Sequence, residues 1–329
     1  CVCVCVCVCV CVHCFLGDRL FFCMSRWWNG YPRAYLKSAP GIEHRHLNVA
    51  VAVGGWGATA FQHFVLDVLP KLALVYDLLA SETWKQANVT LVTNLGRSPA
   101  PRWFLEQLGL WDRTLPMMGW PVKAKFIYRA DLALYPDYEP APILFRKARH
   151  GVHPRGVMLP IQKALGVFEE VRQDRIVMLF RGGRRSLDRQ HQDQIWNLVV
   201  NFFEDYNERT GKQLSVVKFA FSTRENARDL FRRAIAMIGP HGGAFSNMVF
   251  ARPGTKIIEF VPMSDFAMSN TTERTSKYCY YGLSQACGHE YWFVRPRNFD
   301  FNRGGMKIPL DDLHQILKKT FVSPQPPSS

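Results

Sequence analysis

From Ile176 to Val261 short apolar runs of strand length alternate with longer segments of helical period, and that alternation leaves few folds open. Ile176–Phe180, Leu214–Phe219, Ala234–Ile238 and Lys256–Val261 read as strands. Between them Asp193–Asn207 places Ile195, Leu198, Val199, Phe202, Phe203 and Tyr206 on one helical face and stops near Gly211. Ser222 to Glu225 has the spacing of a capping box that opens a helix to Arg233, and Ala244–Phe250 reads as a short helix. Strands separated by helices pair in parallel through right-handed crossovers, so this half is α/β.

The first half repeats the alternation more loosely. Leu47–Val53 reads as a buried strand, followed by Gly54, Gly55 and Gly57. Thr59 and Gln62 have capping-box spacing, which predicts a helix from near Ala60. Phe61, Phe64, Val65, Val68, Leu69, Leu72, Val75, Tyr76 and Leu79 keep helical period over about five turns. Apolar runs at Val89–Val92, Lys125–Ile127 and Leu132–Tyr135 follow, with a helical segment at Arg102–Leu110 among them. Pro136, Pro140, Pro142 and Pro154 mark residues 136–155 as a linker. The 329 residues are long for one core. We therefore expect two α/β domains, 24–155 and 156–322, with Asp311–Phe321 as a last helix and 323–329 as a disordered tail.

Residues 1–23 contain a strict Cys-Val alternation that takes six of the ten cysteines, Cys1 to Cys11. Such a repeat is low-complexity sequence with no expected fold. It lacks the initiating Met, basic segment and small-residue cleavage site of a signal peptide, so any signal or anchor is expected outside this chain. Cys279 and Cys287 flank Gly282, and their spacing fits either a local disulfide or two buried free thiols. No cysteine or histidine spacing suits a metal site. Sequons at Asn88 and Asn270 lean towards the secretory pathway. The net charge of +14 attracts anions, but the basic residues are scattered rather than gathered in a stripe. Nucleic acid is therefore not an expected partner.

The chemistry concentrates in Ile238–Phe260. Gly239, Gly242 and Gly243 keep the strand-to-helix turn clear of side chains, and the helix that follows adds N–H groups and the positive end of its dipole. Open α/β sheets bind ligands at this edge. The turn thus suits a phosphate, although glycines in such a turn also serve purely structural ends. Arg181, Arg184 and Arg185 follow the strand Ile176–Phe180, and their guanidinium forks suit a diphosphate. A solvated basic loop is the plainer alternative. His63 and Asp67 lie four apart on one helical face, a spacing that lets a carboxylate orient an imidazole.

Three ordered segments resemble glycosyltransferase family 61. His241-Gly-Gly-Ala-Phe-Ser-Asn247, then Pro253-Gly254, then Ile257-Ile-Glu-Phe260 is similar to the family's HGAGL-x-N signature and the strand ending in Glu. Gly243 replaces Ala and Phe245 replaces Leu in that pattern. Gln62–Leu72 is similar to the family's YHF-x-x-D-x-LP-R/K-L segment, and Arg181–Arg185 stands where the family carries an arginine cluster. The resemblance spans about residues 47–262. It implies a GT-B architecture of two Rossmann-like domains facing a cleft. It also implies inverting transfer of GlcNAc or a pentose from a UDP-sugar to a glycoprotein or polysaccharide hydroxyl in the Golgi or endoplasmic reticulum, without a metal. On that footing Arg181, Arg185, His241, Gly242, Gly243, Ala244, Asn247 and Glu259 are expected to hold the donor. Glu259 would meet the ribose, and Asn247 would chiefly fix the loop. His63 would be the base, oriented by Asp67; a structural pair, or Asp67 alone as base, are the alternatives. A non-catalytic family member that keeps the fold as a binding protein is the other reading, and membrane contact is expected only through an anchor outside the chain.

Overall fold

The computed structural model describes residues 43–54, 58–93, 95, 98–116, 126–134, 136, 153–182, 186–219, 223–262, 279–296 and 305–322. The Cys-Val repeat, Arg184, Arg185, Asn270, the tail and most of the expected linker lie outside them. Contacts divide the chain into two compact units, Cys1–Pro142 and Ile143–Ser329.

In the first unit β1 (Glu43–Val53) is the hub of a four-stranded parallel sheet. It pairs with β2 (Val89–Thr93) on one side and β4 (Phe126–Leu134) on the other, and β3 (Thr114–Pro116) extends the sheet beyond β2. The strand order is β3-β2-β1-β4. Ala50, Val51 and Val53 are buried in a continuous run, as a strand covered on both faces requires. The two apolar runs at 125–127 and 132–135 correspond to β4 alone, a longer strand than its interrupted hydrophobicity suggests.

The helix after β1 departs from expectation. It begins at Phe61, but Ala60 stands at the cap with no side-chain bond, and the carbonyl of Thr59 is taken by the Ser98 hydroxyl. The capping box is therefore not formed. Nor is the helix regular. Phe64–Val68 is a π turn, closed by the Leu69 N–H on the Phe64 carbonyl, before α-helix resumes over Leu69–Ala73. Pro70 accounts for the break: it has no N–H for the Leu66 carbonyl four residues back, and its ring crowds that carbonyl. The extra residue in the turn also carries Leu66 into the core, although it lies off the stripe read from the sequence.

The second unit holds a five-stranded parallel sheet. Its strands are β5 (Arg175–Met178), β6 (Ser215–Lys218), β7 (Ala234–Pro240), β8 (Lys256–Phe260) and β9 (Glu290–Val294). Their order is β6-β5-β7-β8-β9. The helix Arg189–Thr210 is longer than its apolar stripe, because Asp188 caps the His191 N–H at 3.0 Å and Gly211, at φ 67°, ends it. Ile195, Val199 and Phe203 pack with Leu313 and Leu317 of the helix Leu310–Phe321 onto Ile176, Met178, Ile238, Ile258 and Phe260. Each such side chain, fully buried, contributes about 1.5–3 kcal/mol. The helix Arg224–Arg232 is capped by Thr223, whose hydroxyl accepts from the Asn226 N–H at 3.3 Å, one residue later than the expected cap.

The helix Cys279–Ala286 and strand β9 were not legible as elements in the sequence. Cys279 and Cys287 are both buried, and no disulfide joins them. They bracket the helix, which holds their Cα atoms on the order of 10 Å apart, beyond the reach of a disulfide. Burial pushes the Cys287 thiol far above its ordinary range. No described helix is long and apolar enough to cross a membrane.

Candidate functional site

The two strand orders fix where a ligand can enter each sheet. The chain starts the second sheet at β5, adds β6 on one side and then β7 on the other. Connections leaving β5 and β7 therefore diverge and leave a crevice at their carboxyl ends, the usual ligand position in open α/β sheets. The same reversal in the first sheet falls between β1 and β4.

The residues just past β5 and β7 meet at that crevice. Arg181 Nη1 donates to the carbonyl of His241 at 2.5 Å. Gly242 permits this approach, since a Cβ there would lie 2.5 Å from the same Nη1. Gly239 presses on Leu179, and a Cβ there would collide with the Leu179 carbonyl. The His241 N–H donates to Phe260 at 3.0 Å and stitches the turn to β8.

Gly243–Phe250 then forms a 3-10 helix rather than an α-helix. Gly243 and Ala244 are partly exposed, and as the first residues of the helix their N–H groups have no acceptor within it. Phe245 donates to the Gly242 carbonyl at 3.0 Å, and its buried ring packs 5.5 Å from the ring of Tyr280. Phenylalanine in place of the family's leucine thus has a seat. Asn247 donates to the Ala244 carbonyl at 2.9 Å and braces the turn.

Behind the turn lies a buried chain of polar groups. His241 Nδ1 is bonded to Glu259 Oε1, with side chains 3% and 0% exposed. Tyr291 donates its hydroxyl to Glu259 Oε2 at 2.5 Å. Tyr281 stands edge-on to Tyr291 at 5.4 Å, and Tyr280 stands edge-on to His241 at 5.1 Å. Glu259 and Tyr291 share a sheet face because Ile257 is the register partner of Tyr291. The geometry therefore gives Glu259 a place behind His241, with both its oxygens engaged.

Seven of the expected donor residues thus gather in one unit: Arg181, His241, Gly242, Gly243, Ala244, Asn247 and Glu259. Arg185 lies outside the described residues. His63 and Asp67 lie in the other unit, in the first turns after β1, with Nδ1 and Oδ2 3.4 Å apart and side chains 22% and 11% exposed. The π turn begins immediately after His63, and such bulges are frequent at functional positions. Tyr280 and Tyr291 escaped sequence reasoning. The signal for Tyr291 was the aromatic run Tyr291–Val294 after Gly288, which has strand composition.

His289 supports the signature helix from below. It is buried, and its Nε2 contacts the Met248 carbonyl at 3.0 Å as a neutral donor. Burial lowers its pKa to about 4, despite opposing contacts with the Met248 and Arg252 backbone. Below pH 6.5 the unfolded chain protonates this histidine while the folded chain does not, so stability falls as pH drops from about 6.5 to 4. Compared with His289→Gln, the wild type is expected to lose roughly 2–3 kcal/mol more stability between pH 7.5 and 4.5. Urea unfolding of both proteins at the two pH values measures the difference; equal losses would contradict it.

The sequence model of the family described as Glycosyltransferase 61 matches residues 61–258. That span runs from the first residue of the helix after β1 to the middle of β8 and takes in both histidine–carboxylate positions except Glu259 itself. A search of curated proteins finds no match to the chain.

Proposed function

This chain belongs to glycosyltransferase family 61, and from that premise we propose that it is an inverting enzyme that moves a sugar from a UDP-sugar to a hydroxyl of a glycoprotein or glycan. The reading takes the two units as the domains of a GT-B enzyme. The second holds the donor and the first supplies the base.

The observation that carries the donor assignment is the Arg181–His241 contact at the strand-order reversal, with Gly242 leaving room for it. A diphosphate at this turn would meet the Gly243 and Ala244 amides and a guanidinium already fixed in place. The same groups would stabilise charge on the departing UDP, so the proposal needs no divalent metal. Glu259 acts through His241 in this reading rather than on the ribose.

His63 takes the proton of the acceptor hydroxyl while Asp67 steadies its ring. The 3.4 Å separation is long for a charge-assisted bond, as catalytic contacts often are before substrate arrives. Phe245 and Tyr280 keep the signature turn packed, which favours an active enzyme over a non-catalytic relative. Work in the secretory lumen is part of the proposal. It is supported by the exposed sequon residue Asn88, at φ 51° in the turn before β2.

The test is a panel of UDP-sugars scored by thermal shift, with UDP-GlcNAc and a UDP-pentose first. A donor at about 100 times its Kd stabilises the folded chain by roughly 2.7 kcal/mol. For a protein of this size that is about 5–10 °C. One or two panel members are expected to give such a shift, and no shift with any member would overturn the donor assignment.

A further inference from the structure

Among the described residues, Asn88 is the only non-glycine with a left-handed backbone, at φ 51°. Glycine is the usual occupant of that conformation. Asparagine follows it because its short side chain can bond the local backbone. Here the backbone closes the turn by itself. After the short helix Glu82–Gln86, the Ala87 N–H donates to the Thr83 carbonyl at 3.0 Å and the Asn88 N–H to the Lys85 carbonyl at 3.3 Å. The Asn88 side-chain amide stands outside those bonds, so closing the turn does not account for it.

Two residues on, Thr90 supplies the hydroxyl that completes an N-glycosylation acceptor. The surface around the amide is open. Lys85, Gln86, Ala87 and Asn88 are all exposed, and so is Asn48, which precedes Val49, the register partner of Val89. Val89 turns inward and is buried, so the chain enters the sheet directly after the turn and leaves the amide at the rim. This rim is the amino end of β2. The five residues of the strand, about 16 Å, separate it from the carboxyl end of the sheet, where the chain leaves β1 for His63. A group attached at Asn88 is therefore rooted away from that end.

We infer that Asn88 is an N-glycosylation site and carries an oligosaccharide in the folded protein. The inference rests on the lumenal reading above. The step joins the Asn88 Nδ2 to C1 of an oligosaccharide carried on a lipid diphosphate, through the transferase that serves the secretory lumen. The bond from C1 to the diphosphate oxygen breaks, the lipid diphosphate leaves with the electron pair, and the amide nitrogen gives up one proton. The product is a bulky, solubilising surface group, which an exposed turn accommodates without displacing any packed side chain.

The experiment is translation of the full chain behind a cleavable secretory signal in the presence of microsomes. Mass spectrometry reads the peptide that contains Asn88, before and after peptide N-glycosidase, which removes a glycan and leaves an aspartate in place of the asparagine. Asn270→Gln removes the second sequon, so that one acceptor is read. Asn88 is expected to be glycosylated in most chains. Thr90→Val keeps the β-branched shape a strand favours and is expected to lose the glycan completely, whereas Thr90→Ser keeps it. Transfer acts on the chain as it enters the lumen, so the result holds even for a variant that folds poorly. A bare Asn88 in the microsomes, or a glycan that survives Thr90→Val, would overturn the inference. Either leaves the lumenal reading standing, because the added signal has placed the chain. The protein isolated from its own cells is expected to carry the same glycan. Modification in the microsomes with a bare Asn88 in those cells would instead overturn the lumenal reading and take the inference with it.

Discussion

Replacing His63 with alanine is expected to lower kcat by about 10²- to 10⁴-fold, the range for loss of a positioned proton-transfer group. UDP affinity should stay within about 2-fold, because the contacts assigned to the donor come from the second unit and a base acts in the transition state rather than on the bound donor. Asp67→Asn should fall between the variant and the wild type, since it leaves the imidazole in place and removes only its orientation. The measurement is single-turnover transfer with the donor identified by thermal shift. A His63→Ala enzyme with near wild-type kcat would end the assignment. Equal losses in His63→Ala and Asp67→Asn, with tight UDP binding in both, would move the base to Asp67. The π turn makes the position sensitive: it starts at the residue after His63, so the spacing between the two side chains depends on a helix that Pro70 has already widened.

Gly239→Ala should be the most damaging small substitution to stability. The added methyl collides with the carbonyl and side chain of Leu179, on the strand-order reversal where β5 and β7 pair. A backbone carbonyl just past the end of β5, on a residue whose own N–H is held by the Ile238 carbonyl at 2.8 Å, cannot step aside as a side-chain end can. The expected loss is roughly 3–5 kcal/mol, a large part of the stability of an ordinary domain. Gly242→Ala is the matched control. The nearest atoms its methyl meets belong to the flexible Arg181 side chain, so folding should change by less than about 1 kcal/mol while the guanidinium leaves the turn. Urea unfolding of the two variants separates them; comparable midpoints would show that Gly239 is not wedged against β5 as described.

What could be read in advance followed the physics of periodicity. The second sheet was legible because β5, β7 and β8 are largely buried on both faces and so appear as short runs dominated by apolar residues, with the amphipathic Arg189–Thr210 between. Glycines that clear a turn are visible as glycines, so the Gly239–Gly243 segment could be placed at a sheet edge before any contact was known. Its partners were less visible. Tyr291 lies 32 residues beyond Glu259, on a strand whose aromatic residues do not alternate cleanly with polar ones. Tyr280 hides in a short helix whose sequence carries Gly282 in mid-span, a residue that weakens the helical signal. The buried role of Glu259 was also beyond sequence, because a strand-end carboxylate looks the same whether it meets solvent or a histidine. At the other pair, a hydrophobic stripe of helical period cannot reveal that Pro70 converts one turn to a π turn. Serine and threonine next to each other likewise do not say which will cap a helix.

The two buried cysteines of the second unit bear on how this protein can be handled. Cys279 and Cys287 sit at opposite ends of one helix, each closed off from solvent. A bond between the two ends of that helix is neither asked of an oxidising folding machinery nor there for a reductant to cut. The helix that carries Tyr280 and Tyr281 should therefore form equally well in a bacterial cytosol and in an oxidising lumen. Dithiothreitol in the assay buffer should leave both its melting and its hold on the signature turn unchanged.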